Sequence, residues 1–142
     1  MTALADQDQE KARKKYENSN LAPEEARQLL KEINEYMELE KPYRDPELTL
    51  HLLSERTQIP VRRLSQVINE NTGMNFLHFI NSYRVQEVKE QLSKTSFHHK
   101  TVLDIAFCAG FNSKSTFNAA FKELTGVTPK QFRNNPVSRK PD

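Results

Sequence analysis

Ile68-Asn69-Glu70-Asn71-Thr72-Gly73-Met74-Asn75-Phe76-Leu77-His78-Phe79-Ile80-Asn81 returns 53 residues later as Phe121-Lys122-Glu123-Leu124-Thr125-Gly126-Val127-Thr128-Pro129-Lys130-Gln131-Phe132-Arg133-Asn134. Glu, Thr-Gly, Phe and Asn recur in register. The same offset run backwards pairs Leu64 with Phe117, Val67 with Ala120, Leu50 with Leu103 and Leu52 with Ile105, so the apolar register is shared over about thirty residues. Such self-similarity marks one supersecondary unit used twice. Here the unit is two short helices and a turn. With the second helix presenting polar residues outward, that is the helix-turn-helix pattern of DNA readers.

Outward from the repeat, the chain divides by composition and period. Residues 1–22 are charged with few apolar anchors and are expected to be disordered or frayed. From Pro23, well suited to the first turn of a helix, Ala26, Leu29, Leu30, Ile33, Tyr36 and Met37 fall at helical spacing. One amphipathic helix is therefore expected over residues 23–40. Two prolines without a period make residues 41–46 a loop. Thr49 is placed to cap a helix to about Thr57, with Leu50, Leu52 and Leu53 inward, and Pro60 opens another that stops at Thr72-Gly73. A tail over 135–142 is expected to be disordered.

The longest expected helix, from Asn75 to about Lys94, carries apolar residues on two sides: Phe76, Phe79, Ile80 and Tyr83 on one, Leu77, Val85, Val88 and Leu92 on another. A helix of this kind touches two lobes. Twenty residues would span about 30 Å, close to the about 34 Å helical turn of B-DNA, which makes it a candidate ruler. Beyond a polar loop holding His98, His99 and Lys100, Thr101 with Asp104 and Thr128 with Gln131 are spaced as capping boxes. Gly110 falls at the second inter-helix turn. The fold class is all-α: two helix-turn-helix modules joined by a long linker helix and preceded by an extra amphipathic helix.

The 142 residues suffice for one compact domain or two small lobes. Hydrophobic content of 36% against 28% charged suits an all-helical protein with a large solvated surface. No stretch nears the roughly 20 apolar residues of a membrane span, no secretory pattern opens the chain, and a cytoplasmic location is expected. The net charge of +2 hides a division: residues 1–40 sum to −4 and residues 41–142 to +6. The basic surface that phosphate neutralisation requires thus lies in the repeated region.

Catalytic and metal chemistry find no support. His51, His78, His98 and His99 lack ligand spacing and a cysteine or carboxylate partner. Cys108 is the only cysteine and has no base near it in sequence. Three glycines could hardly build a phosphate loop. No enzyme, metal or cofactor is expected.

The stretch Leu103-Asp104-Ile105-Ala106, Gly110-Phe111, Ser113, Ser115, Phe117, Phe121-Lys122, Gly126, Thr128-Pro129 and Phe132-Arg133 resembles the signature of the AraC/XylS family of bacterial transcription regulators. Upstream, Leu64-Ser65, Ile68-Asn69, Asn75-Phe76, Phe79-Ile80-Asn81 and Tyr83-Arg84-Val85 resemble its first module and linker helix. The resemblance covers about Leu48 to Arg133. It implies an AraC-type double helix-turn-helix domain over residues 41–134, double-stranded DNA as partner, and action by occupancy with RNA polymerase recruited or blocked. The helix over 23–40 resembles the juncture below the sensory or dimerisation domain that family members carry, so the chain is expected to be the C-terminal piece of a larger regulator.

On the helix from Pro60, Val61, Leu64, Val67 and Ile68 read as the inner face and Arg62, Ser65, Gln66 and Asn69 as the outer. Outer residues of any helix are polar, so taken alone these describe a solvated face. The resemblance places Arg62, Ser65 and Gln66 where the family reads bases; Arg62 suits bidentate pairing with guanine and Gln66 with adenine. Arg63 and Asn69 are candidate phosphate contacts. On the helix from Lys114 to Thr125, Phe117, Ala120, Phe121 and Leu124 read as inward, with Lys114, Ser115, Asn118 and Ala119 outward. Lys114 and Asn118 are candidates for base edges, while Ser113, Ser115 and Thr116 are cap or phosphate candidates. Many family members have arginine where Ala119 stands, so a more degenerate second half-site is expected. Arg84 and Arg133 read as structural supports. The alternative reading is a helical protein–protein adaptor that uses the amphipathic helix over 23–40.

Overall fold

The computed structural model describes residues 21–135. The sequence expectations for residues 1–20 and 136–142 lie outside the described residues. Every regular element among the described residues is helical. Residues 21–42 with 47–80 form one compact unit, and residues 43–46 with 81–135 form a second.

In the first unit, α1 (Pro23–Glu40) starts with proline in its first turn, followed by Glu24 and Glu25 at the positive end of the helix dipole. Ala26, Ile33 and Met37 form its buried stripe, and α1 packs on α3. Helix α2 (Leu50–Thr57) is capped by Thr49, whose hydroxyl accepts the Leu52 N–H, and it ends at Gln58 in the left-handed conformation. Helix α3 (Val61–Thr72) buries Leu64, Val67 and Ile68 and packs against both α1 and α2. Val61, expected inward, is 38% exposed; as the first residue of the helix it lies beyond the packed stripe.

In the second unit, α5 (Val102–Cys108) and α6 (Lys114–Thr125) form the repeated pair, and α7 (Pro129–Asn134) packs on α6. Ile105, Ala106, Phe117 and Phe121 share a core with Val85, Val88, Leu92 and Phe111. An aromatic series runs through it, with ring centroids 5.2 Å apart from Phe111 to Phe117, 5.8 Å to Phe121 and 5.6 Å on to Phe132, tilted or edge-on as ring quadrupoles prefer. Leu124, expected inward, is 42% exposed near the end of α6.

The 53-residue offset holds at the level of single hydrogen bonds. Helices α3 and α6 are both 12 residues long, and each ends on a left-handed glycine, Gly73 with φ 71° and Gly126 with φ 83°. The threonine before each glycine donates backwards: Thr72 to the Ile68 carbonyl at 2.5 Å, Thr125 to the Phe121 carbonyl at 2.7 Å. Each hydroxyl also accepts the N–H two residues ahead, from Met74 at 3.1 Å and Val127 at 3.3 Å. The next helix is then capped by Asn75, which accepts the His78 N–H, or by Thr128, which accepts the Gln131 N–H. At Thr128 the capping box is complete, since the Gln131 side chain accepts the Thr128 N–H at 2.9 Å. The inter-helix turns differ. The first spans residues 58–60 and the second 109–113, where Gly110 has φ 116°.

The linker helix α4 (Phe76–Leu92) has 17 residues, fewer than the twenty expected, and gives about 25 Å of rise. It ends early because the Lys94 N–H turns back to the Gln91 carbonyl, after which Lys94 is extended and Thr95–Phe97 forms a 3-10 turn. Phe79, Ile80, Val85, Val88 and Leu92 are buried as expected, whereas Leu77 is 60% exposed.

The segment expected to be a plain loop is anchored. Pro42–Arg44 forms a 3-10 turn. Tyr43 and Arg44 both bind Glu87 of α4, the phenol at 2.8 Å and Arg44 Nε at 2.9 Å, with Glu87 only 6% exposed. The Glu87 hydrogen bond raises the Arg44 pKa above its ordinary value, against an opposing effect of burial. Tyr43 also stacks on Tyr83 at 5.6 Å. We expect Glu87→Ala to destabilise the second unit by about 2 kcal/mol, below the roughly 3–5 of a fully buried pair because Arg44 remains half exposed. Urea denaturation checks this; an unchanged midpoint would contradict the anchoring role.

Candidate nucleic-acid interface

In the first unit, the sequence-derived candidates of α3 do not form one open face. Arg62 is exposed, Arg63, Ser65 and Asn69 are half-buried, and the Asn69 amide reaches the Ser65 hydroxyl at 3.5 Å. Gln66 departs from expectation. It is 3% exposed, and its amide donates to Glu70 at 3.4 Å. A helix flanked by two others, as α3 is by α1 and α2, buries more than the single stripe that periodicity reveals. The assignment of Gln66 to an outer, adenine-reading face is therefore corrected: in this conformation its side chain is not offered to a base edge.

In the second unit, the outer face of α6 is open throughout: Lys114, Ser115, Thr116, Asn118 and Ala119 are all exposed. Ser113 caps the helix by accepting the Thr116 N–H at 3.3 Å, and its hydroxyl lies 3.0 Å from that of Ser115. Lys114, Asn118 and Lys122 follow at intervals of four and lie along one side of the helix.

Charge separates the modules. Residues 81–135 carry eight Lys/Arg against four Asp/Glu, while residues 47–80 carry three of each. The cationic excess read from sequence thus belongs to the second unit, where Lys100, Lys114, Lys122 and Lys130 supply it.

Two arginines brace the second unit from within. Arg84, 6% exposed, donates to the carbonyls of Tyr43 at 2.7 Å and Asp45 at 3.0 Å and to the Asn81 side chain at 3.3 Å. Its guanidinium lies 5.9 Å from the Phe111 ring centroid. Burial lowers its pKa from the ordinary value, with Asp45 pulling the other way. Arg133 donates to the carbonyls of Phe97 and His98 at 2.9 and 3.0 Å, tying α7 to the loop before α5. Sequence reading found both arginines. It missed Tyr43, Arg44 and Glu87, whose meeting across more than 40 residues leaves no signal in the period of α4.

Among the described residues, no group of three or more His, Cys, Asp or Glu is arranged to hold a metal ion, and no helix is long and apolar enough to cross a membrane.

A family model described as a helix-turn-helix domain matches residues 53–135. An uncharacterized HTH-type transcriptional regulator of Staphylococcus aureus is 35% identical over 104 residues, which are 73% of this chain and 13% of that protein. The HTH-type transcriptional activator RhaS of Mannheimia succiniciproducens is 28% identical over 89 residues, 63% of this chain and 32% of the activator. The chain therefore spans only a minor part of these curated relatives. The C-terminal domain of the two-component response regulator yesN from Fusobacterium nucleatum is similar in structure, with a TM-score of 0.58 and 29% identity over 77% of this chain and 98% of that domain. By its matched residues and its paired modules, the chain belongs to the AraC/XylS-type family of helix-turn-helix transcription regulators.

Proposed function

We propose that the chain binds double-stranded DNA sequence-specifically, with α3 and α6 entering successive major grooves on one side of an asymmetric site. The observation that carries this reading is the duplication itself: two 12-residue helices, 53 residues apart, ended by the same Thr-Gly hydrogen bonds and joined through one continuous helix. In this reading Arg62 is the principal base contact of α3, with Ser65 beside it and Arg63 and Asn69 at phosphates. Lys114 and Asn118 approach base edges from α6, and Ser115 and Thr116 approach phosphates. The cationic excess of residues 81–135 assigns most of the phosphate affinity to the second module. Bound at a promoter, the protein would act by occupancy, recruiting or blocking RNA polymerase, under an upstream sensory or dimerisation domain.

The adaptor alternative is less favoured. It needs the apolar stripe of α1, and Ala26, Ile33 and Met37 of that stripe are buried.

Selection from random duplex DNA at two salt concentrations tests the proposal. One enriched asymmetric motif, bound with an affinity that falls steeply as salt rises, is the expected result. No enrichment, or affinity indifferent to salt, would refute it. The same experiment separates two neighbouring residues of α3. Arg62→Ala is expected to relax preference at one base pair by about 1–3 kcal/mol with the fold intact. Gln66→Ala, at a buried amide, is expected instead to lower stability by about 1 kcal/mol while base preference stays near the parental one. A parental motif of undiminished stringency from the Arg62→Ala protein would remove Arg62 from the interface.

A further inference from the structure

In the second unit, α5, α6 and α7 enclose a groove of about 690 Å³. Val102, Leu103 and Pro129 give it an apolar floor. Lys114, Lys122 and Lys130 stand at its rim, each exposed, and no aspartate or glutamate is among its lining residues. Its size falls within the about 300–1,000 Å³ of small-ligand clefts, which pair an apolar lining with a few polar groups.

We propose that this groove is an effector site for an amphipathic carboxylate, a small molecule with an apolar body and one anionic head. The body covers Val102, Leu103 and Pro129, and the carboxylate pairs with the rim lysines. Charge complementarity selects the head, because three exposed lysines and no acidic residue line the groove. The floor selects the body, because a phosphate or sugar leaves apolar surface wet and gains nothing from it. Fixed geometry helps: the Arg133 guanidinium, on the α7 side of the groove, is held by the Phe97 and His98 carbonyls. Lys114 and Asn118 line this groove and also belong to the proposed DNA face of α6. Occupation of the groove therefore competes with DNA, a consequence that rests on the DNA-binding reading, whereas ligand binding itself does not.

The test titrates the full chain, followed by amide chemical shifts, with 4-phenylbutyrate, with 4-phenylbutan-1-ol as the neutral match, and with inorganic phosphate. Saturable shifts confined to α5, α6 and α7 are expected for the carboxylate, with binding about three- to fivefold weaker for the alcohol, as loss of an exposed ion pair implies. The double substitution Lys122→Glu with Lys130→Glu, at exposed positions outside the proposed base contacts, is expected to abolish the preference for the carboxylate while leaving the alcohol's binding unchanged. Equal binding of acid and alcohol, shifts elsewhere on the chain, or phosphate binding as tightly as the carboxylate would each overturn the effector site. In a second arm, 4-phenylbutyrate should raise the apparent Kd for the selected DNA. Unchanged DNA affinity with the groove saturated would overturn the competition alone, and absence of any DNA binding would leave the shift titration to decide.

Discussion

Gly110→Ala is expected to destabilise the second unit by about 3–6 kcal/mol, enough to unfold a marginal domain. Two costs coincide at this turn. Gly110 has φ 116°, a conformation that side-chain-bearing residues rarely adopt, and forcing it costs on the order of 1–3 kcal/mol. In addition, a β-carbon would lie 2.1 Å from the Tyr43 carbonyl oxygen, 2.7 Å from Arg84 Nε and 3.1 Å from the Arg44 α-carbon. Two of these are backbone atoms and cannot swing aside. The Tyr43 oxygen is also the acceptor for Arg84 Nε, so moving it leaves a buried guanidinium short of a partner. Gly126→Ala is the internal control. Its φ is 83°, yet nothing lies within 4 Å of the added carbon, so only the conformational cost of about 1 kcal/mol is expected. Denaturant unfolding of both variants checks the contrast. Equal losses would mean that the segment over residues 43–46 does not pack against the second inter-helix turn.

The second large effect concerns α4. Gln86 is exposed, and its side-chain amide donates to Glu90 one turn on, at 3.3 Å. Even so, Gln86→Pro removes a backbone donor in mid-helix and drives the ring against the preceding turn, at a cost of about 3 kcal/mol or more. Residues 85, 87 and 88 beside it are buried, so a kink is transmitted into the core of the second unit. If α4 fixes the spacing of the two reading helices, specific DNA binding should collapse to weak, salt-sensitive association although no proposed base contact has changed. Moving the half-sites apart by about 5 base pairs should harm the parental protein in the same way, since the second groove then faces away. A parental protein that binds the respaced site as tightly as the original would show that the modules are flexibly tethered, and the two-groove proposal would fail.

The sequence by itself determined the helical class, the duplication and nearly every helix end. These are local matters. Thr49, Thr101, Ser113 and Thr128 satisfy the N–H groups of the turn that follows them, and Gly73 and Gly126 take the left-handed cap, so a few adjacent residues carry the whole instruction. Leu64, Val67, Ile68, Phe117 and Phe121 were legible as core for a similar reason, because a single packed stripe imprints its period on the chain. Of the candidate interface, the outer face of α6 was legible and that of α3 only partly so. Tertiary structure alone decided the burial of Gln66, the exposure of Val61, Leu77 and Leu124, and the docking of Tyr43 and Arg44 on Glu87. Each depends on which element lies against which side of a helix, and how far along it. Residues more than 40 positions apart must meet before Glu87 has its partners, and no periodicity within one helix records where a second or third helix will pack against it.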